Sequence, residues 1–412
     1  MPKFCAFKAT RPTRTKISLM ASRPYESYTK KEREARLEHN PFSFLHIVNP
    51  GYKYKKEISG KQRFSLVKNR FLEFKEDEIF KTEEQAVFLL HQIHYRNGDI
   101  FSGFVGCCHA EDYNQNKIKR HEETLSKRVS LFTNYLKTVR FNTDPVLLTY
   151  PKQNALDEIT AEVIQNRAEY EFTTTSRETH YVWIIKDLAQ IEAIETAIAK
   201  ISHLYIADGH HRISSSVMLS NEMALENDKH TGNEAYNFIL SYLIPENQLK
   251  IREFNRLVKD LNGLSKEEFL IRLDEFFRIE NRKQDYYKPT YKHHFSMYLD
   301  GEFYSLYLRK NHQIFQNALD ELDAQILNNF ILKPILGIAD FKNNKRVTYA
   351  PAQKDMAYVK GKVDAKKYAV GFGMLPVQIQ EVKQIADEGL SMPPKSTYID
   401  PKLRSGICIH EF

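Results

Sequence analysis

Five consecutive residues, Asp208-Gly209-His210-His211-Arg212, gather more reactive chemistry than any other stretch of this chain. A glycine lets the backbone turn tightly or approach a ligand closely. Arg212 can clamp two phosphate oxygens in its planar fork. His210 and His211 bring hydrogen-bond donors, or a general acid or base that titrates near neutral pH. Asp208 can orient a histidine, bind a metal or accept a proton. The five residues fall where a predicted strand, 203–207, runs into a predicted helix, 213 to about 225. A helix start offers N–H groups and a positive dipole end, which together suit phosphate. Asp208 and Gly209 alone are better explained as a cap and a turn. Two adjacent histidines and an arginine at the same junction are not.

Three further stretches carry groups that could join such a site. His121-Glu122-Glu123-Thr124 lies at a predicted helix start, where a carboxylate is favoured by the dipole; His121 and Glu122 could equally be a metal ligand and a base. Arg23-Pro24-Tyr25-Glu26 sits in an early loop, where Arg23 could bind an anion and Glu26 act as a base, or both could be solvated surface charge. Lys395-Ser396-Thr397, in a prolyl loop near the end, could meet phosphate or face solvent.

The elements that must position these groups are legible in outline. Thr29 with Glu32 forms a capping box that opens a helix, and Asn40-Pro41 stops it. Residues 42–48 read as a strand. A second helix runs from about His121, with Leu125, Val129, Phe132, Leu136 and Val139 on one face at steps of three and four. The loop Asn142-Thr143-Asp144-Pro145 ends it, and 145–150 is a buried strand. A β-α-β pattern follows: strand 181–185, a helix capped by Asp187 with Leu188, Ile191, Ile194, Ile198 and Ile201 inward, and strand 203–207. Such a crossover favours parallel pairing. Further on, Ser265 with Glu268 caps another helix, and 295–309 is a hairpin pivoting on Asp300-Gly301. Residues 319–332 read as helix, 367–376 as strand, 377–388 as helix stopped by Gly389, and 406–410 as a last strand.

Length and composition bound the rest. The chain has 412 residues and 42% hydrophobic residues, enough for two or three packed domains. We expect boundaries near 150 and 245: 1–150 carrying the Arg23–Glu26 and His121–Thr124 motifs, 151–245 carrying the Asp208–Arg212 junction, and 246–412 carrying the Lys395–Thr397 loop. Sixty Lys+Arg against 53 Asp+Glu leave a net charge of +7, a mild excess that fits anionic small molecules. No basic block, recognition helix or aromatic–basic platform marks a nucleic-acid binder. The four cysteines form no C-x-x-C pair, so neither a structural zinc site nor a disulfide framework is expected. With no signal-like or membrane-length apolar run, the expected location is the cytoplasm.

Taken in order, Arg23-Pro24-Tyr25-Glu26, Asn40-Pro41, His121-Glu122-Glu123-Thr124, Ile206 to Arg212 and Met392-Pro393-Pro394-Lys395-Ser396-Thr397-Tyr398 resemble the bacterial and archaeal family known as domain of unknown function 1015. The resemblance spans almost the whole chain. It departs at Glu26, where the family commonly has aspartate, and at Arg23, where it often has proline. The Asp208–Arg212 segment is also similar to the phosphate-binding box of the ParB/sulfiredoxin superfamily, which includes free-serine kinases. That likeness implies an α+β fold with a ParB/sulfiredoxin-like nucleotide-binding core. It implies that Gly209, His210, His211 and Arg212 hold the phosphates of ATP or ADP, with Arg23, Lys395, Ser396 and Thr397 as further contacts. Asp208, Glu26 or Glu122 would be the base or a ligand of Mg²⁺, the ion that oxygen ligands and phosphates suit. His210 would be a further catalytic candidate and His121 a further metal ligand.

The expected activity is a nucleotide-dependent phosphotransferase acting on a small hydroxyl substrate, free serine or phosphoserine first. A metal-dependent phosphohydrolase, with His121, Asp208, His210 and His211 as ligands, is the alternative. A nucleotide-binding regulator without catalysis is the third.

Overall fold

The computed structural model describes residues 1–339, 344–351, 354–393 and 395–412, and the chain is a mixed α+β protein, as expected. It divides into two compact units. The first takes Met1–Arg120, Thr124–Leu249 and Pro401–Phe412; the second takes His121–Glu123 and Lys250–Asp400.

The first unit is built on a nine-stranded mixed sheet. Across it run Ile118–Lys119, Leu204–Asp208, Val146–Tyr150, Phe238–Pro245, Ile100–His109, Phe88–His94, Thr179–Ile185 and Tyr170–Thr173, with Phe4–Cys5 paired beside Ile100–His109. Ile194 and Ile198 of the helix Leu188–Ala199, and Ile213 of the helix His210–Leu225, lie fully buried in one core with Leu148 and Ile206 of the sheet. Each such aliphatic side chain contributes roughly 1.5–3 kcal/mol. A smaller sheet joins Phe80–Thr82, Ala9–Pro12, Ile409–Glu411 and Phe141–Asn142, so the last residues of the chain return to the first unit.

The second unit is an antiparallel six-stranded sheet, in the order Phe277–Lys283, Glu302–Leu308, His294–Leu299, Val370–Gly373, Arg256–Val258 and Val347–Tyr349, with a separate pair Lys250–Arg252 and Tyr398–Asp400. The expected hairpin is present, with Asp300 and Gly301 both at positive φ in its turn. The capping boxes at Thr29/Glu32 and Ser265/Glu268 both form. All four cysteines are free, and no helix of the described residues is long and apolar enough to cross a membrane.

Several expectations fail, each for a physical reason. The expected boundary near 150 does not separate two units, because strands from both sides of it interleave in one sheet. The strands around 181–185 and 203–207 are not parallel neighbours. Leu204–Asp208 pairs antiparallel with Val146–Tyr150, and four strands separate it from Thr179–Ile185. The stretch read as a strand at 42–48 is a short helix, Leu45–Val48, because one turn suffices to bury Phe44, Leu45 and Ile47. His121–Thr124 do not start a helix: that helix is Ser126–Val139, and the expected inward Leu125 is 68% exposed. The helix expected from Ile213 begins instead at His210, so His210, His211 and Arg212 form its first turn. The helix expected over 319–332 is shorter, Asp323–Leu327, and continues as a π-helical turn to Leu332. The strand expected over 367–376 contracts to Val370–Gly373 and the last one shifts to Ile409–Glu411.

Candidate functional site

The Asp208–Arg212 junction owes its shape to Gly209. This residue sits at φ 100°, between the end of the strand and the helix, a backbone region open to glycine and costly to other residues. A Cβ there would lie 3.3 Å from the Cζ of Arg212, whose side chain folds back over it. Arg212 donates from Nη1 to the carbonyl of Pro145 at 2.5 Å and holds Nη2 at 3.5 Å from the Asp208 carboxylate. Lys402 Nζ lies 3.3 Å from the same carboxylate. Partial burial pushes the Asp208 carboxyl up, but Lys402, Arg212 and the Gly209 N–H outweigh it and hold it below its ordinary range. Asp208 therefore positions Arg212 as a carboxylate.

His211 has a structural task. Its Nε2 accepts the N–H of Leu125 at 3.1 Å, capping the helix Ser126–Val139. That bond needs the neutral ring, and burial with nearby Arg128 pushes the His211 pKa down. His210 is buried at the helix start.

Beside Arg212 lies a cavity of about 390 Å³, entirely within the first unit. Four arginines line it: Arg23, Arg63, Arg128 and Arg212. So do two carboxylates, Glu26 and Asp144, and an apolar wall that includes Phe64, Phe132 and Leu136. The Arg23–Glu26 motif reaches the cavity through the returning C-terminal segment, since Ser22 and Ser405 exchange backbone hydrogen bonds at 3.1 and 2.8 Å. Ser405 Oγ also donates to the Asp144 carboxylate, and Gly406 N–H donates to Thr143 Oγ1 at 3.1 Å. One short segment thus pins both carboxylate-bearing loops.

Within the motif, Tyr25–Ser27 is a 3-10 turn. Tyr28 Oη accepts the Arg23 N–H at 2.9 Å, and the Arg23 guanidinium lies 4.2 Å from the Tyr28 ring centre. Arg63 is held by the Val48 carbonyl at 2.8 Å and by the Tyr25 ring. The Arg23 guanidinium also donates to Glu32 Oε1 at 3.3 Å. Glu26 makes no hydrogen bond or ion pair among the described residues. Burial raises the Asp144 carboxyl above its ordinary value, opposed by Arg212 and the Ser405 hydroxyl and reinforced by Glu26. Ser22 Oγ is buried against this cavity with no partner among the described residues, a cost unless a ligand satisfies it.

Of the residues singled out from sequence, Arg23, Glu26 and Arg212 line the cavity, and Asp208, Gly209 and His211 support Arg212 and the neighbouring helix. His121, Glu122, Lys395, Ser396 and Thr397 belong to the second unit. There the Met392 N–H donates to the His121 carbonyl at 2.8 Å, bringing the two motif segments together. Lys395 Nζ lies 5.5 Å from the Phe254 ring centre, and Ser396 Oγ donates to the Pro393 carbonyl at 2.7 Å. Pro394 of that segment lies outside the described residues.

Asp144, Arg63, Arg128, Ser22 and Ser405 were not expected. Asp144 had a signal, an acidic residue entering a strand that is buried throughout. The isolated arginines on polar helix faces had none. For a magnesium ion, Glu26 and Asp144 are the oxygen donors that fit, since both face the cavity. Asp208, engaged by two cations, does not suit one.

Among solved structures, the chain is similar to a free serine kinase in complex with AMP, at 13% identity and a TM-score of 0.35, over 71% of this chain and 88% of that one. It is similar to SbnI with a C-terminal truncation from Staphylococcus aureus, at 12% identity and a TM-score of 0.37, over 74% and 85%. It is also similar to a conserved hypothetical protein from Pyrococcus furiosus, at 13% identity and a TM-score of 0.34, over 71% and 91%. No protein of curated function matches the sequence. Over residues 4–325 the sequence matches the family described as "Protein of unknown function (DUF1015)", and the chain belongs to that family.

Proposed function

We propose that the protein is a nucleotide-dependent phosphotransferase acting on a small hydroxyl substrate, with free serine, or phosphoserine in the reverse direction, the first candidate. The observation that carries this reading is the first unit's cavity, whose lining includes four arginines and the two acidic residues Glu26 and Asp144. Phosphoryl transfer needs positioning and charge neutralisation more than covalent help, and that set of side chains supplies both.

In this reading the substrate oxygen attacks the transferred phosphorus in line, and the bond to the leaving nucleotide oxygen breaks. Arg212 and its neighbours neutralise the charge on the equatorial oxygens. Glu26, the carboxylate without a partner, takes the hydroxyl proton. Asp144 is held by Ser405 and orients the substrate. Bound with the nucleotide, Mg²⁺ supplies further neutralisation of phosphate charge. Ser22 Oγ gains a phosphate or hydroxyl partner. Glu122 as an alternative base, His210 as a catalytic residue, His121 as a metal ligand, and Lys395, Ser396 and Thr397 as phosphate contacts also belong to the proposal, each addressed by its own alanine variant.

The test is phosphorus NMR of the protein with Mg²⁺ and serine plus ATP or ADP, and separately with phosphoserine, with and without nucleotide. Phosphoserine formed from nucleotide, or nucleotide gaining phosphate from phosphoserine, and lost in Arg212→Ala, supports the reading. Free phosphate released from phosphoserine without nucleotide replaces it with the hydrolase. Nucleotide bound without turnover of any of these substrates rejects serine and phosphoserine as the reactants.

A further inference from the structure

A second cavity of about 420 Å³, also within the first unit, shares no residue with the first. It lies where the strand Ala9–Pro12, the loop before the strand Tyr170–Thr173 and the end of the strand Thr179–Ile185 meet. Its charged lining is Arg11, Arg14, Lys81, Arg167 and Lys186 against Glu169.

Part of that charge is explained by the fold. Arg11, only 2% exposed, is bonded to Glu83 at 2.6 Å, to Glu169 at 2.8 Å and to the Tyr170 hydroxyl. Lys186 reaches Glu83 at 2.7 Å and Lys81 reaches Glu169 at 3.4 Å. Two carboxylates are thereby already shared among three cations. Arg14 and Arg167 have no ion pair or side-chain hydrogen bond among the described residues, yet both face the same cavity. Five cations meet two carboxylates, an uncompensated excess on a chain whose whole net charge is +7. Arg14 and Arg167 are exposed, so water screens part of their mutual repulsion, and the positive field that remains over the cavity favours a multivalent anion. The volume is that of a small-molecule site.

We propose that this cavity is a second, separate binding site for a compact multivalent phosphate, such as a small polyphosphate or phosphate ester, with Arg14 and Arg167 as its clamps. Arg11 is the buried, pre-oriented base of the site, and Lys81 and Lys186 are its rim. The site is independent of the reaction assigned to the first cavity and stands whether or not that reaction is correct.

The chain's one tryptophan, Trp183, lines this cavity and reports on it directly. Inorganic pyrophosphate is titrated into the full chain while Trp183 fluorescence is followed, with chloride at matched ionic strength as the control. The expected result is a saturable change whose apparent Kd rises at least tenfold in Arg14→Ala/Arg167→Ala and stays unchanged in Arg212→Ala. Because neither clamp has a partner to lose, the double variant should keep the parent's urea midpoint. No saturable change, the same change with chloride, an unaltered Kd in the double variant, or loss of the change in Arg212→Ala would each overturn the proposal.

Discussion

Replacing Gly209 by alanine tests the idea that one backbone angle organises the site. The residue sits at φ 100°, and the added methyl would stand 3.3 Å from the Arg212 Cζ. Holding a non-glycine residue there costs about 1–3 kcal/mol. The stiffer unfolded chain returns about 0.4–1 kcal/mol, so the net loss lies between about 0 and 2.6 kcal/mol, with a middle value near 1.3 kcal/mol. The guanidinium must also move by a few tenths of an ångström, which weakens its bond to Pro145, a contact worth about 1 kcal/mol. Nucleotide affinity should therefore fall several-fold to tenfold in addition to the loss of stability. Urea unfolding followed by Trp183 fluorescence reads the first unit, and nucleotide titration reads the site. Gly209→Asn should recover part of both, because asparagine tolerates positive φ better. An alanine variant as stable as the parent, with unchanged nucleotide affinity, would refute the reasoning.

Glu26→Gln should leave folding and nucleotide affinity intact while lowering turnover by about 10²–10⁴-fold, the usual weight of a general base; comparable turnover would remove Glu26 from that role. Arg11→Met should destabilise the first unit by about 3 kcal/mol, the low end for breaking a buried pair, because Lys186 still accompanies Glu83; urea midpoints measure it. Glu178 gives a pH signature. Burial alone would raise its pKa, but His180 and Arg404 outweigh that and bring it from 4.5 to about 2. Its stabilisation is thus fully present above pH 4.5 and is lost as pH falls towards about 2. Arg404→Met should flatten that part of the pH–stability curve, and an unchanged curve would show that the pairing adds nothing.

Local signals in the sequence specified local structure well. The Thr29 and Ser265 capping boxes, the Asp187 cap and the Asp300-Gly301 turn all form, because each depends on residues within a few positions of one another. The strand-to-helix junction at 208–212, with a glycine at its turn, was likewise legible from residue types, whereas the folding of Arg212 over Gly209 was not. The roles inside that junction were not. His211, read as a phosphate ligand, caps a helix whose first residues lie 86 positions away, and Asp208 is engaged by Lys402, 194 positions away. The cavity itself depends on Ser405 returning to bridge Ser22 and to hold Asp144, a link of 261 residues to the latter. The sequence by itself determined the family and the mixed α+β class. Strand order and the gathering of Arg23, Arg63, Arg128, Arg212, Glu26 and Asp144 were decided only by tertiary structure. Pairing partners and charge neighbours so far apart in the chain leave no periodicity or spacing to read, since burial and mutual field exist only once the sheet has closed.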